Sequence, residues 1–152
     1  MRVRRRGRNL LRRTKSAMAN AIKLEIVTPE ARVYSEDVEM ATLPGVEGQI
    51  GVLPQHVRLI TQLVPGELIV RKDGHDDFMA VGEGLVEVNN ERVSIVTNMA
   101  IAVDRIDEAA AEEARQRAAA RLREKISSEE VASVSASLAR SLAQLHVKRR
   151  HR

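Results

Sequence analysis

The chain contains no cysteine, which excludes disulfides, thiolate metal sites and cysteine nucleophiles. It has no tryptophan, and Tyr34 and Phe78 are its sole aromatic residues. A core must therefore be built from aliphatic side chains and alanine. No stretch approaches the roughly eighteen consecutive apolar residues of a membrane-spanning helix. What remains, 152 residues, suits one domain of ordinary size plus an appendage, with a core that needs no covalent staples.

Acid is missing from one place in particular. Residues 1–17, MRVRRRGRNLLRRTKSA, hold eight Arg and Lys and no Asp or Glu. Without them the net charge of +4 reverses, because 17 basic residues then face 21 acidic ones. The closing KRRHR holds four more basic residues, so the body between is more acidic still. A folded nucleic-acid module carries its basic footprint on the body, usually with aromatic stacking partners. This body has neither, and no nucleic-acid partner is expected. The basic extension, residues 1–21, has three readings. Translation can start at Met18 rather than Met1, the head can be a disordered basic arm touching anionic lipid or RNA, or it can be a transit peptide.

From Ile22 to Asp104 the pattern has period two. IKLEIVT alternates Ile22, Leu24 and Ile26 against Lys23 and Glu25. DVEMATL puts Val38 and Met40 on one side, with Asp37, Glu39 and Ala41 on the other. GELIVRK, DDFMAV, GLVEV and RVSIV continue in short pieces, punctuated by TPE, LPGVEG, VPG, KDG, GEG and NNE. The Asp-Gly of KDGH predicts a tight primed hairpin turn. Some ten short strands with no helix between them predict an antiparallel all-β sandwich over residues 22–104.

At Asp104 the pattern changes. DRIDEAAAEEARQRAAARLREKI consists almost wholly of strong helix formers, with Asp104 or Asp107 as cap. Ser127-x-x-Glu130 has capping-box spacing for a second helix, whose stripe is Val131, Val134, Leu138, Leu142 and Leu145. The first helix offers mainly Ala110, Ala114 and Ala118, then Leu122 and Ile126. Alanine contributes far less burial than leucine. Residues 105–147 therefore read as a C-terminal α-helical hairpin that packs closely but weakly, a detachable arm, followed by a basic tail at 148–152.

Chemistry-bearing constellations are sparse. His75 beside Asp76 and Asp77 follows a hairpin turn and reads as solvated. The four histidines lack metal-ligand spacing, so no metal is expected. GEG at 82–84 is not followed by a helix and is no dinucleotide fingerprint. No nucleophile–base pair or P-loop is present, so no catalytic residue is named. Glu113 and Arg117 are spaced for i,i+4 support on a solvated helix face. The stretch GQIGVLPQHVRL at 48–59 is more puzzling, being rich in glycine yet apolar around a lone His56. His56 reads either as a satisfied buried histidine or as a contact to a partner.

The order of LEIVTPEARVYSEDVEMATLPGVEGQIGVLPQH, LVPGELIV, VGEGLVEVNNERVSIV, AIAVDRIDEAAAEEARQRAAARL and SASLARSLAQLHV resembles the epsilon subunit of F-type ATP synthase over roughly residues 22–147. The resemblance implies a non-catalytic rotor subunit whose sandwich sits at the foot of the central stalk, between the gamma subunit and the membrane ring of c subunits. Its hairpin would fold against the sandwich or extend along gamma toward the catalytic alpha and beta subunits, opposing ATP hydrolysis. By the same resemblance Thr28, His56 and Thr61 match positions near gamma, and Val46, Glu47, Gly48 and Gln49 match the loop facing the ring. Arg140, Lys148, Arg149 and Arg150 would pair with an acidic segment of the catalytic beta subunit; the bland alternative is a frayed helix end whose cations suit the helix dipole.

Departures from the pattern are informative. Gln49 stands where the loop usually carries an acid, Gln55 replaces a glycine and Arg58 a proline, as in a divergent member or second isoform. Some family members bind ATP in the folded hairpin through an I/L-D-x-x-R-A motif, which reads IDEAAA here. Asp107, Arg117 and Arg140 match ATP-binding positions, but Ala110 stands in place of the arginine, and Ile101 and Gln144 replace polar partners. Weak ATP binding or none is expected, and no other cofactor. The implied location is peripheral, on the cytoplasmic face of the bacterial inner membrane, or in the mitochondrial matrix if the head is a transit peptide. The competing reading is a stand-alone β-sandwich binding module with a basic nucleic-acid- or lipid-binding tail.

Overall fold

The computed structural model describes residues 20–152; the basic head and the choice between Met1 and Met18 lie outside them. Ten strands come first: β1 Ile22–Val27, β2 Arg32–Val38, β3 Met40–Gly45, β4 Gly48–Val52, β5 Leu59–Leu63, β6 Gly66–Lys72, β7 His75–Val81, β8 Gly84–Val88, β9 Arg92–Thr97 and β10 Ala100–Ala102. A 3₁₀ turn, Val103–Arg105, leads into α1 Glu108–Leu122 and α2 Ser128–Arg150. The strands run in the order β10-β7-β6-β3-β5-β8-β9-β1-β2, with β4 paired to β3. The sandwich with a helical hairpin expected from the sequence is the fold observed.

The register differs from a purely antiparallel sheet at one seam. β1 and β9 pair in parallel, Leu24 against Val93 and Ile26 against Ile95. A parallel pair ordinarily needs a helical crossover. Here the seven intervening strands are the crossover, so no helix was required. The β2 end of the strand order curls back onto β6: Lys72 Nζ on β6 donates to Glu36 Oε2 on β2 at 2.8 Å, and the Glu39 amide donates to the Arg71 carbonyl. The lysine holds the Glu36 carboxyl below its usual range, and Glu36 in turn raises Lys72.

One face of every strand feeds a common aliphatic core: Ile22, Leu24 and Ile26 from β1, Leu43 from β3, Leu68 and Val70 from β6, Val86 from β8, Ile95 from β9. The alternation predicted for β1 is observed, but that for DVEMATL is not. Val38 is buried, Glu39 breaks the strand, and the phase shifts so that Ala41 and Leu43 point inward while Met40 is only half-buried. Two strands meeting at a corner need not share one register. The KDGH turn forms as expected, with Asp73 at φ 51° and Gly74 at φ 79° between paired Lys72 and His75. These are the paired positive angles of a type I′ turn.

Gly84 opens β8 where the backbone of β9 presses closest. A Cβ there would lie 1.9 Å from the Val96 carbonyl oxygen. No rotamer relieves a clash between two backbones. The Gly84→Ala variant is expected to lose at least about 2 kcal/mol of stability in chemical denaturation.

Candidate functional site: a docked arm and a bare sheet face

Each strand also has an outer face, and the two halves of the sheet treat it differently. On β6, β7 and β10 the outward residues are Glu67 and Ile69, Phe78 and Ala80, and Ile101, with Glu67 opposite Ala80 and Ala80 opposite Ile101. α2 lies across this face. A second small core forms there from Ala80, Met99, Ile106, Ala143 and Val147, with Phe78, Ile101 and Val103 packed against it.

Local sequence explains why the helices form where they do. Asp107 accepts a hydrogen bond from the Ala110 amide at 3.1 Å and caps α1; Asp104 lies in the 3₁₀ turn. Ser127 accepts from the Glu130 amide at 3.2 Å and caps α2. The Glu130 carboxylate instead reaches Arg121 of α1 at 2.7 Å, so the capping box is used by half and the other half ties the hairpin. The apolar stripe is shifted from the one predicted. Val131 and Leu142 are exposed, whereas Ser141, Ala143, Leu145 and Val147 are buried, as are Ala111 and Ala118 of α1. A helix gripped on one side by α1 and on the other by the sheet buries two adjoining faces, and a single-stripe reading finds only part of that.

The basic tail predicted at 148–152 continues α2 to Arg150, and its cations are engaged. Lys148 Nζ donates to the Val103 carbonyl at 3.1 Å. Arg149 Nε reaches Glu108 at 3.0 Å and its Nη2 reaches Glu112 at 3.3 Å; Arg152 also contacts Glu108. Arg150 Nη1 stands 3.8 Å from Glu67 Oε1, and His151 Nε2 is 2.8 Å from Glu67 Oε2. The His151 ring stacks on Phe78, centroids 3.6 Å apart and planes inclined by 16°. Among the described residues Arg140, half-buried, has no ionic partner. A frayed end is therefore not what the chain forms. Sequence reasoning missed Glu67, Phe78 and His151. The available signal was an acid in β6 whose outward neighbour, Ile69, is apolar.

Of the matched nucleotide-binding positions, Asp107 alone has a clear structural role. Asp107 is the α1 cap, and exposed Arg117 lies 4.0 Å from exposed Glu113. The cavity beside the arm, about 550 Å³, is bordered by Pro44, Gln49, Pro65, Glu67, Leu142 and Arg150, and by neither Asp107, Arg117 nor Arg140.

On β5, β8 and β9 no helix covers the outer face, and three large apolar side chains stand out on it among Gln62, Glu87 and Ser94. Ile60, Leu85 and Val96 are 74%, 60% and 60% exposed. Leu85 lies opposite Val96, Val96 opposite Val27, and Ile60 diagonal to Leu85. These three residues were not singled out from sequence, although they occupy outward positions of LITQL, GLVEV and RVSIV where polar residues are usual. Thr28 is buried at the end of β1, with its hydroxyl donating to the Ala31 carbonyl at 3.3 Å. Thr61 lies on β5 opposite buried Val86, between outward Ile60 and Gln62. His56 belongs to the turn before β5.

That turn resolves the puzzle of GQIGVLPQHVRL. His56 is not a core histidine; it is half-exposed, with Nδ1 2.7 Å from the Val57 carbonyl. Val52 is fully buried and Ile50 packs against the core, whereas Leu53 and Val57 are 55% and 76% exposed. Gln55 sits at φ 65°, its amide donating to the Asn90 carbonyl at 3.0 Å. The preceding hairpin closes between Gly45 and Gly48, with Gly48 at φ 120° and Val46, Glu47, Gly48 and Gln49 all exposed. Of Thr28, His56 and Thr61, only His56 is half-exposed in a turn, since Thr28 is buried and Thr61 lies in the inward phase of β5. Val46–Gln49 form a separate exposed loop.

A β-sandwich with a folded helical arm and an uncovered apolar sheet face defines a binding subunit, with its surfaces rather than a cleft as its working parts. The sequence comparisons make the class specific. Residues 21–103 match the family described as ATP synthase, Delta/Epsilon chain, beta-sandwich domain, and residues 104–149 match its long alpha-helix domain. The ATP synthase epsilon chain of Herpetosiphon aurantiacus is 43% identical over 126 residues, covering 83% of this chain and 93% of that protein. Syntrophotalea carbinolica has two such chains; epsilon chain 2 is 43% and epsilon chain 1 is 42% identical over 131 residues, each covering 86% of this chain and 95% of that protein. A chain in the cryo-EM structure of the Euglena gracilis mitochondrial ATP synthase, comprising OSCP, F1 and c-ring, superposes with a TM-score of 0.69 at 25% identity, covering 84% of this chain and 80% of that one. The chain belongs to the epsilon-chain family of ATP synthases. It is a non-catalytic subunit and a peripheral part of a membrane-bound complex.

Two outcomes follow from the geometry of the turn and the arm. A left-handed non-glycine residue costs about 1 kcal/mol, so Gln55→Gly is expected to stabilise the protein by about 0.5–1 kcal/mol in urea denaturation. Arg149 and then Arg152 hold the Glu108 carboxyl below its ordinary value of 4.5. A depressed acid stabilises the folded form above its unfolded value, and the contribution is lost as pH falls through the folded one. The NMR resonance of the Arg149 Nε–H is therefore expected to move toward its free position as pH drops below about 4.5, and to lose that transition in Glu108→Gln.

Proposed function

We propose that this chain is the rotor subunit that couples ion-driven rotation of the membrane ring to ATP synthesis and restrains ATP hydrolysis through its arm. One observation carries the reading: a sandwich that covers half of its outer surface with its own helix leaves an apolar band, Ile60–Leu85–Val96, uncovered on the other half. A patch of this kind marks a protein-binding surface. The gamma subunit takes that band and the half-exposed His56, with Thr61 and the buried Thr28 in the adjoining strands. Val46, Glu47, Gly48 and Gln49 face the ring of c subunits; Gln49 offers a hydrogen bond there rather than a charge. The site lies on the cytoplasmic face of a bacterial inner membrane.

The arm is inhibitory when extended. Lys148, Arg149 and Arg150, which hold the chain's own carbonyl and carboxylates in the docked form, together with Arg140, then meet acidic residues of the catalytic beta subunit. Nucleotide contributes weakly or not at all to holding the arm down, since Ala110 stands where an arginine would engage phosphate and Asp107 is the helix cap.

The test is binding of purified gamma to the full chain. Leu85→Asp places a charge in the middle of the band without touching the core, and is expected to weaken binding at least about tenfold with unchanged thermal stability. Undiminished affinity would remove the band as the gamma surface. In the assembled enzyme, reversing Lys148, Arg149 and Arg150 to Glu is expected to raise ATPase activity; unchanged hydrolysis with intact assembly counts against the inhibitory arm.

A further inference from the structure

The docked arm is held to the sandwich by little apolar surface. Its share of the shared core is Ala143 and Val147, two small side chains that allow sliding and specify an end point poorly. Something else must fix where α2 stops. Most of its terminal ion pairs are poor candidates. Arg149 is 51% exposed and Arg152 62% exposed, and their partner Glu108 is 28% exposed. Such pairs are screened by salt and contribute little. Because Glu108 belongs to α1, they hold the hairpin to itself rather than to the sheet. The Lys148 bond to the Val103 carbonyl reaches only the connecting turn.

Glu67 is different. Its side chain is only 4% exposed, and it stands on the outer face of β6, so the arm is what covers it. An ionised carboxylate taken out of water requires compensation at both oxygens. Oε2 has His151 at 2.8 Å, while Oε1 has no hydrogen bond and only Arg150 at 3.8 Å. Compensation at hydrogen-bond distance thus comes from one side chain, and that imidazole is itself clamped face-to-face on Phe78. Any shift of α2 along the sheet, or its departure, breaks the stack and the hydrogen bond together and returns Glu67 to water. Docking with the terminus out of place would leave the carboxylate buried and unmatched. The contact is therefore selective as well as adhesive.

We propose that His151, stacked on Phe78 and bonded to Glu67, is the latch that sets the register of the docked arm and governs its release. The penultimate residue of the sequence thereby controls a helix of 23 residues. The free state of Glu67 is a solvated acid on an exposed strand face, and the free state of the tail is a cluster of cations. Release of the latch thus separates charges that attract each other and makes both available to other chains. The contact stands on the geometry alone; its effect on hydrolysis rests on the inhibitory arm proposed above.

The test uses the full-length chain and its His151→Ala, Glu67→Gln and double variants. His151 caps α2 outside the sandwich and Glu67 points away from the aliphatic core, so none threatens the sandwich. Hydrogen–deuterium exchange of α2 amides from Ala143 to Arg150 is the first readout. His151→Ala is expected to speed exchange there at least tenfold, with β1, β8 and β9 unchanged. Its effect is expected to shrink markedly in the Glu67→Gln background, because the two residues act as one contact. Equal exchange in all four proteins overturns the latch, and so does a full, additive effect of His151→Ala in the Glu67→Gln background, which would mean mere end-fraying. ATPase assays of complexes carrying His151→Ala separate the two levels. Faster exchange with lower hydrolysis supports both latch and inhibitory arm, and faster exchange with unchanged hydrolysis keeps the latch and removes the inhibition.

Discussion

Every strand of this sheet has two faces, and the common core takes only one. The core is complete without the arm: Leu24, Leu43, Leu68, Val86 and Ile95 are all fully buried within the sandwich. The other face must meet water, helix or partner, and that requirement organises the rest of the molecule. Where β6, β7 and β10 turn outward the chain supplies its own cover in α2. Where β5, β8 and β9 turn outward it supplies none, and Ile60, Leu85 and Val96 stand exposed there among polar neighbours. On the function proposed above, a subunit held by one neighbour while presenting a movable arm to another is served by this division.

The two surfaces are held by different physics. The bare band offers Ile60, Leu85 and Val96, whose burial against a partner is non-directional and insensitive to salt. The arm docks through two small apolar side chains, the Lys148 bond to the Val103 carbonyl and one buried carboxylate, while the exposed pairs of Arg149 and Arg152 tie α2 to α1. Exposed pairs set orientation but contribute little, whereas a buried, half-matched acid is sensitive to the loss of one partner. The arm that is proposed to leave its seat has a small apolar footing there, Ala143 and Val147 of α2.

The fold was legible because its signals are local. Period-two alternation in IKLEIVT, the Asp-Gly turn after Lys72, and the Asp107 and Ser127 caps all operate over a few residues, and each is found as read. The parallel β1–β9 seam and the phase shift at Glu39 were not legible, since they depend on where the sheet turns its corner. The arm's contacts with the body join residues 84 apart, Glu67 and His151, and no local pattern announces such a pair. The apolar band was visible in principle at Ile60, Leu85 and Val96, in the outward phase of three strands. His56 misled because an apolar, glycine-rich neighbourhood resembles a core segment, when Gln55 at φ 65° instead turns the chain outward.

The central claim is that the uncovered half of the sheet is where the rest of the machine takes hold. Its most direct measurement places a photo-crosslinking amino acid at position 85 of the full-length chain in native membranes and identifies the adduct by mass spectrometry. The account predicts one dominant adduct, to the gamma subunit, and none from the same label at exposed Val131 on the tip of the arm while the arm is docked. Complexes that contain the chain yet give no gamma adduct from position 85 would contradict it.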